Sequence, residues 1–90
     1  MRWPTTGPSL RHLDRRDGRA AQLGTQPLSQ RERDCLSFLA NGLRVSRIAE
    51  RMAISEVTVE LHLRNARRKM KAATTPQALA RAMLTGELSL

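Results

Sequence analysis

The stretch Ala49 to Met70, AERMAISEVTVELHLRNARRKM, decides the fold. Its first residues close an apolar run, Val45, Ile48, Ala49 and Met52, that recurs at helical spacing. The tight turn Ala53-Ile54-Ser55 then breaks the period, and Ser55 is a good N-cap for a further helix reaching about Lys71. In that helix Val59, Leu63 or His62, Ala66 and Met70 form an inner stripe. Glu60, Leu61, Arg64, Arg67 and Arg68 form an outer one, with positions 60, 61, 64 and 68 adjacent on the surface. Two helices joined by so short a turn, the second with a cationic outer face, read as a helix-turn-helix. Such a face fits the major groove of DNA.

The flanks supply two more helices. One runs from about Gln30 to Asn41, with Ser29 as N-cap and Glu32 completing a capping box. Leu36, Leu39 and Ala40 give its apolar stripe, and Gly42 stops it. The last helix opens with Thr75 as cap and Pro76 at its first helical position. Ala78, Leu79, Ala82 and Met83 form its apolar face, and Gly86 ends it. The expected architecture is all-α: a four-helix bundle over residues 27–90 containing a helix-turn-helix. Residues 1–26 hold Pro4, Gly7, Pro8, Gly18 and Gly24 with scattered charge, and read as a flexible basic tail or linker. A short helix from Leu10 to Leu23 is the one element that tail allows.

Composition agrees with a small helical bundle. Trp3 and Phe38 are the only aromatic residues, so the core must come from aliphatic side chains and methionine. A net charge of +8, of which +3 falls in the tail, calls for an anionic partner such as nucleic acid. Cys35 stands alone, which excludes an internal disulfide, and its place beside Leu36 and Leu39 makes it a core thiol. A reducing, cytoplasmic location fits. No apolar run approaches the roughly 18 residues that span a bilayer. His12, Cys35 and His62 are too scattered for a metal site, and no cofactor is expected. Neither a Ser, His and Asp arrangement nor a Gly-rich phosphate loop is present, so no catalysis is expected.

The pattern resembles the C-terminal DNA-binding domain of the LuxR/FixJ/NarL class of bacterial transcription regulators, the GerE-like domain. The residues that carry the resemblance are LSQRERDCLSFLANG at Leu28 to Gly42 and IAERMAIS at Ile48 to Ser55. TVELHLRNARRKM at Thr58 to Met70 and ALARAMLTGEL at Ala78 to Leu88 complete it, so that it covers about 60 of the 90 residues. NARRKMKAATTPQALARAM, from Asn65 to Met83, leans toward the quorum-sensing branch.

The resemblance implies that Glu60, Leu61 and Arg64 face base edges. Arg64 suits a bidentate pair with guanine, and Leu61 suits a thymine methyl. Arg67, Arg68, Lys69, Lys71 and Arg47 are suited to phosphates, as is Thr58 at the positive end of its helix. The implied partner is double-stranded DNA. The family also implies pairing of two chains through the fourth helix, where Leu79, Met83 and Leu84 cannot all be buried; a weak homodimer, or a dimer formed on DNA, is expected. A full-length homologue or RNA polymerase are further partners of this kind. No small-molecule ligand or membrane is implied.

Two departures stand out. Glu60 occupies a place where the family commonly has Lys, Arg or a neutral polar residue, and an acid there costs affinity for phosphates, though it can accept from cytosine. Arg44-Val45-Ser46-Arg47 replaces a frequent Ser-Asn-Lys-Glu, and losing the Ser cap should weaken the second helix by about 0.5–2 kcal/mol. The 26 residues before the bundle are too few for a sensory or receiver domain, so the chain reads as a stand-alone regulator or a fragment of a longer one. A competing expectation is an interaction protein that pairs with a full-length homologue and inhibits it. Region 4 of a sigma factor is disfavoured by the ALARAMLTGEL ending and the absence of polymerase-binding regions.

Overall fold

The computed structural model describes residues 24–89. The expected tail and the Leu10 to Leu23 helix lie almost wholly outside them. Among the described residues there are four helices and no strand: α1 Gln30–Ala40, α2 Val45–Met52, α3 Glu56–Lys69 and α4 Thr75–Leu84.

Local chemistry sets each boundary. At α1 both halves of the capping box form: the Ser29 backbone N–H donates to Glu32 Oε1 at 2.8 Å, and the Glu32 N–H donates to Ser29 Oγ at 3.2 Å. At α2 the N-cap Arg44 makes no side-chain cap bond, as the lost serine led one to expect. Its far end closes on Ala53 in the left-handed region (φ 56), the turn that joins α2 to α3. Ser55 Oγ accepts the Thr58 N–H at 3.1 Å and starts α3.

α4 corrects the expected cap. Thr74, not Thr75, is the N-cap, and Pro76 is the second helical residue. The reason is the spacing Thr74-x-x-Gln77. Thr74 Oγ1 accepts the Gln77 N–H at 3.2 Å, while Gln77 Oε1 reaches back to the Ala73 N–H at 2.7 Å. The Thr75 hydroxyl instead accepts from Arg67 of α3 at 3.1 Å.

α3 is the hub and packs against each of the other three helices. Val59, Leu63, Ala66 and Met70 are all buried, which resolves the choice between Leu63 and His62 in favour of leucine. They meet Cys35 and Leu36 of α1, Ile48, Ala49 and Met52 of α2, and Ala78 and Ala82 of α4, with Leu28 and Leu88 closing the ends. Burying the valine, leucine, isoleucine and methionine side chains among them contributes about 1.5–3 kcal/mol each. Leu39 is half-buried, whereas Met83, expected on the apolar face of α4, turns outward. Ala78 and Ala82 form the inner line of α4, and Met83 lies one residue, about 100° of helix, past it.

Polar bonds tie the two ends of the described chain to this frame. Glu87, buried on the C-terminal segment, accepts the Leu28 N–H at 3.0 Å and pairs with Arg33 at 3.3 Å. Lys69 of α3 pairs with Glu32 of α1 at 2.9 Å, and the Gln26 N–H donates to the Lys69 carbonyl. Burial pushes the Glu32 carboxyl up, but the Ser29 N–H and the Lys69 ammonium overcome it and hold it below the ordinary value.

Candidate nucleic-acid interface

The surface of interest is the side of α3 that faces away from the core. A buried line at positions 59, 63, 66 and 70 leaves the line at 57, 61, 64 and 68 pointing outward. Arg64, Arg68 and Glu60 are exposed, and Leu61 keeps 45% of its surface. Glu60, Leu61 and Arg64 therefore lie side by side on one patch. Four buried side chains fix the angle at which the helix carries it.

The residues expected at phosphates divide into four groups. Arg68 and Lys71 are exposed at the C-terminal end of α3, with Lys71 in the left-handed region (φ 57). Arg47 is exposed on α2 and forms an i, i+3 pair with Glu50, both side chains 68% exposed. A pair so open to water holds neither partner firmly. Thr58 is half-buried in the first turn of α3, its hydroxyl 2.9 Å from Ser55 Oγ.

Arg67 and Lys69 depart from the expected free cations. Arg67 is half-buried and donates to Thr75, bracing α4 against α3. Lys69 is drawn inward by the Glu32 carboxylate, and its side chain is largely covered. Both partners are distant in sequence, 8 residues for Arg67 and 37 for Lys69, which is why reading charge along α3 alone does not separate them from Arg68.

Three further exposed residues of α2, its cap and α3 lie outside the expected set. Arg44 and Arg51 are exposed and, with Arg47, form an i, i+3, i+7 row along the outer side of α2. The signal lay in the spacing R-x-x-R-x-x-x-R. Val57, in the first turn of α3, is the third.

Other candidates fall to the frame. Cys35 is fully buried, its thiol 3.6 Å from Met52 Sδ, and burial pushes its pKa up to about 11. It is therefore a protonated packing group at neutral pH rather than a reactive thiolate. On α4, Leu79 is half-buried while Met83 and Leu84 are exposed, and the three share a shallow apolar groove with Pro76 and Ala80. No helix among the described residues is long and apolar enough to cross a membrane.

The chain is similar to known proteins in sequence and in fold. Residues 26–82 match the family described as bacterial regulatory proteins, luxR family. The transcriptional regulatory protein FixJ of Azorhizobium caulinodans is 41% identical over 77% of this chain and 38% of its own length. The transcriptional activator protein RaiR of Rhizobium etli is 48% identical over 58% of this chain and 22% of its own. The transcriptional activator protein LuxR of Aliivibrio fischeri is 32% identical over 98% and 35%. This chain thus spans well under half the length of these curated relatives. A solved structure of the transcription factor GerE superposes with a TM-score of 0.66 at 32% identity, covering 69% of this chain and 92% of that one. With the four helices, the helix-turn-helix and the family match in agreement, the chain belongs to the luxR family of bacterial regulatory proteins.

Proposed function

We propose that this chain is a sequence-specific DNA-binding transcription regulator, acting in the cytoplasm, that sets α3 into the major groove. The observation that carries the reading is the two-faced α3, with four buried positions inward and Glu60, Leu61 and Arg64 together outward. Arg64 pairs with guanine, Leu61 packs on a thymine methyl, and Glu60 accepts from cytosine. Arg68, Lys71 and Arg47 meet phosphate and set the register, joined by Arg44 and Arg51, since the first helix of such a motif crosses the backbone. Thr58 reaches phosphate from the first turn of α3, and Arg67 does so from the other end only by giving up its bond to Thr75. Lys69 does so only by leaving Glu32, so its first role is to hold α3 to α1. Residues 27–90 form the DNA-binding unit, and the chain is not an enzyme. Two chains pair weakly, or on DNA, through Leu79, Met83 and Leu84.

Selection of bound duplexes from a random pool tests this reading. An inverted repeat should be enriched, and Met83→Glu should keep half-site binding while weakening binding to the full repeat. Failure to bind any duplex would overturn the reading.

The exposed apolar side chains on α4, together with the acidic Glu60 on the α3 face, favour a second reading. In it the chain pairs with a longer homologue and withholds that partner from DNA. Weak binding by the natural chain and strong binding by Glu60→Lys would support this reading. Equal binding by the two would count against it.

A further inference from the structure

Val57 is 77% exposed, more than any other large apolar side chain among the described residues. Nothing in the fold accounts for it. It is the second residue of α3, joins neither the core nor the side chains packed around it, and is β-branched. Such a residue costs a few tenths of a kcal/mol in a helix relative to alanine unless packing compensates. The helix N-terminus favours acidic and small polar side chains at such a position.

Its place on the helix supplies a reason. Val57, Leu61, Arg64 and Arg68 stand at i, i+4, i+7 and i+11, the outermost line of α3. That line is apolar over its first two turns and cationic over its last two. In a helix-turn-helix the N-terminal turns of the second helix go deepest into the groove. The cations then fall nearer the rim, where phosphates lie, and the apolar pair falls among the base edges. The apolar group that the major groove presents is the thymine 5-methyl.

We propose that Val57 is a base-reading residue, its isopropyl group packing on the 5-methyl of a thymine one helical turn before the contact made by Leu61. The inference rests on the DNA-binding reading given above. Val57 and Leu61 are separated by about 6 Å of helix rise. They therefore meet two different thymines of one half-site.

The test uses the full chain and an enriched duplex. Each thymine of one half-site is replaced singly by deoxyuridine, which removes the methyl and nothing else. Two positions should respond, each weakening binding by about 3- to 5-fold, the worth of one buried methyl. Val57→Ala should silence one of them and Leu61→Ala the other. Both variants should remain folded, with Val57→Ala melting no lower than the natural chain, because neither side chain belongs to the core. If the natural chain selects its duplex but Val57→Ala keeps every uracil response, the proposal falls and the DNA reading stands. If no duplex is preferred at all, both fall.

Discussion

Charge on α3 changes meaning from one residue to the next. Arg64 and Arg68 point to solvent, Arg67 is spent on Thr75, and Lys69 on Glu32. The outer trio of Glu60, Leu61 and Arg64 was legible in the sequence because the Ser55 cap fixes where the helical period starts. Lys69 was not, because its partner lies on another helix and single-chain periodicity carries no such distance. Val57 escaped because it precedes the first inward residue, Val59, from which the stripes are counted. The prediction at this scale concerns Arg68. Arg68→Ala should weaken binding to all duplexes alike and reduce the salt slope by about 0.9. The ratio between specific and scrambled duplex should not move. Binding isotherms at four salt concentrations measure both quantities.

Among the elements, the turn between α2 and α3 decides how the outer face of α3 is presented. Its position was legible from the interruption of the apolar period. Its conformation was not, because Ala53 holds a left-handed backbone (φ 56) that alanine adopts at a cost of roughly 1–2 kcal/mol. Ala53→Gly should therefore stabilise the chain by about 0.5–1 kcal/mol, the relief of strain exceeding the added freedom of the unfolded chain. Denaturant titration measures it, and a loss of stability would show that the added freedom of the unfolded chain outweighs the strain. The cap of α4 illustrates how neighbouring threonines mislead. Thr74 and Thr75 are equally good caps by composition, and only the reach of Gln77 back to Ala73 settles which is used.

At the scale of the whole molecule, four short helices were readable from capping residues and apolar spacing. The bonds that close the bundle were not, because Leu28 and Glu87 are 59 residues apart. Glu87→Ala would leave the buried Leu28 N–H without its acceptor and Arg33 without its acid. We expect a loss of about 1–3 kcal/mol by denaturant titration. Glu32 gives the bundle a pH dependence of definite sign. Its carboxyl is held below the ordinary value, so the stability it contributes is complete above the unfolded-state pKa. That stability is lost as pH falls through the folded one. The melting temperature should drop on acidification through the carboxylate range, and Glu32→Gln should flatten that part of the profile. The most direct measurement of the central claim, that the outer face of α3 reads bases, is the affinity ratio between enriched and scrambled duplex for the natural chain and Arg64→Ala. We predict that the variant loses about 1–3 kcal/mol on the enriched duplex and little on the scrambled one, so that the ratio collapses. An unchanged ratio would contradict the account and reduce Arg64 to one more phosphate contact.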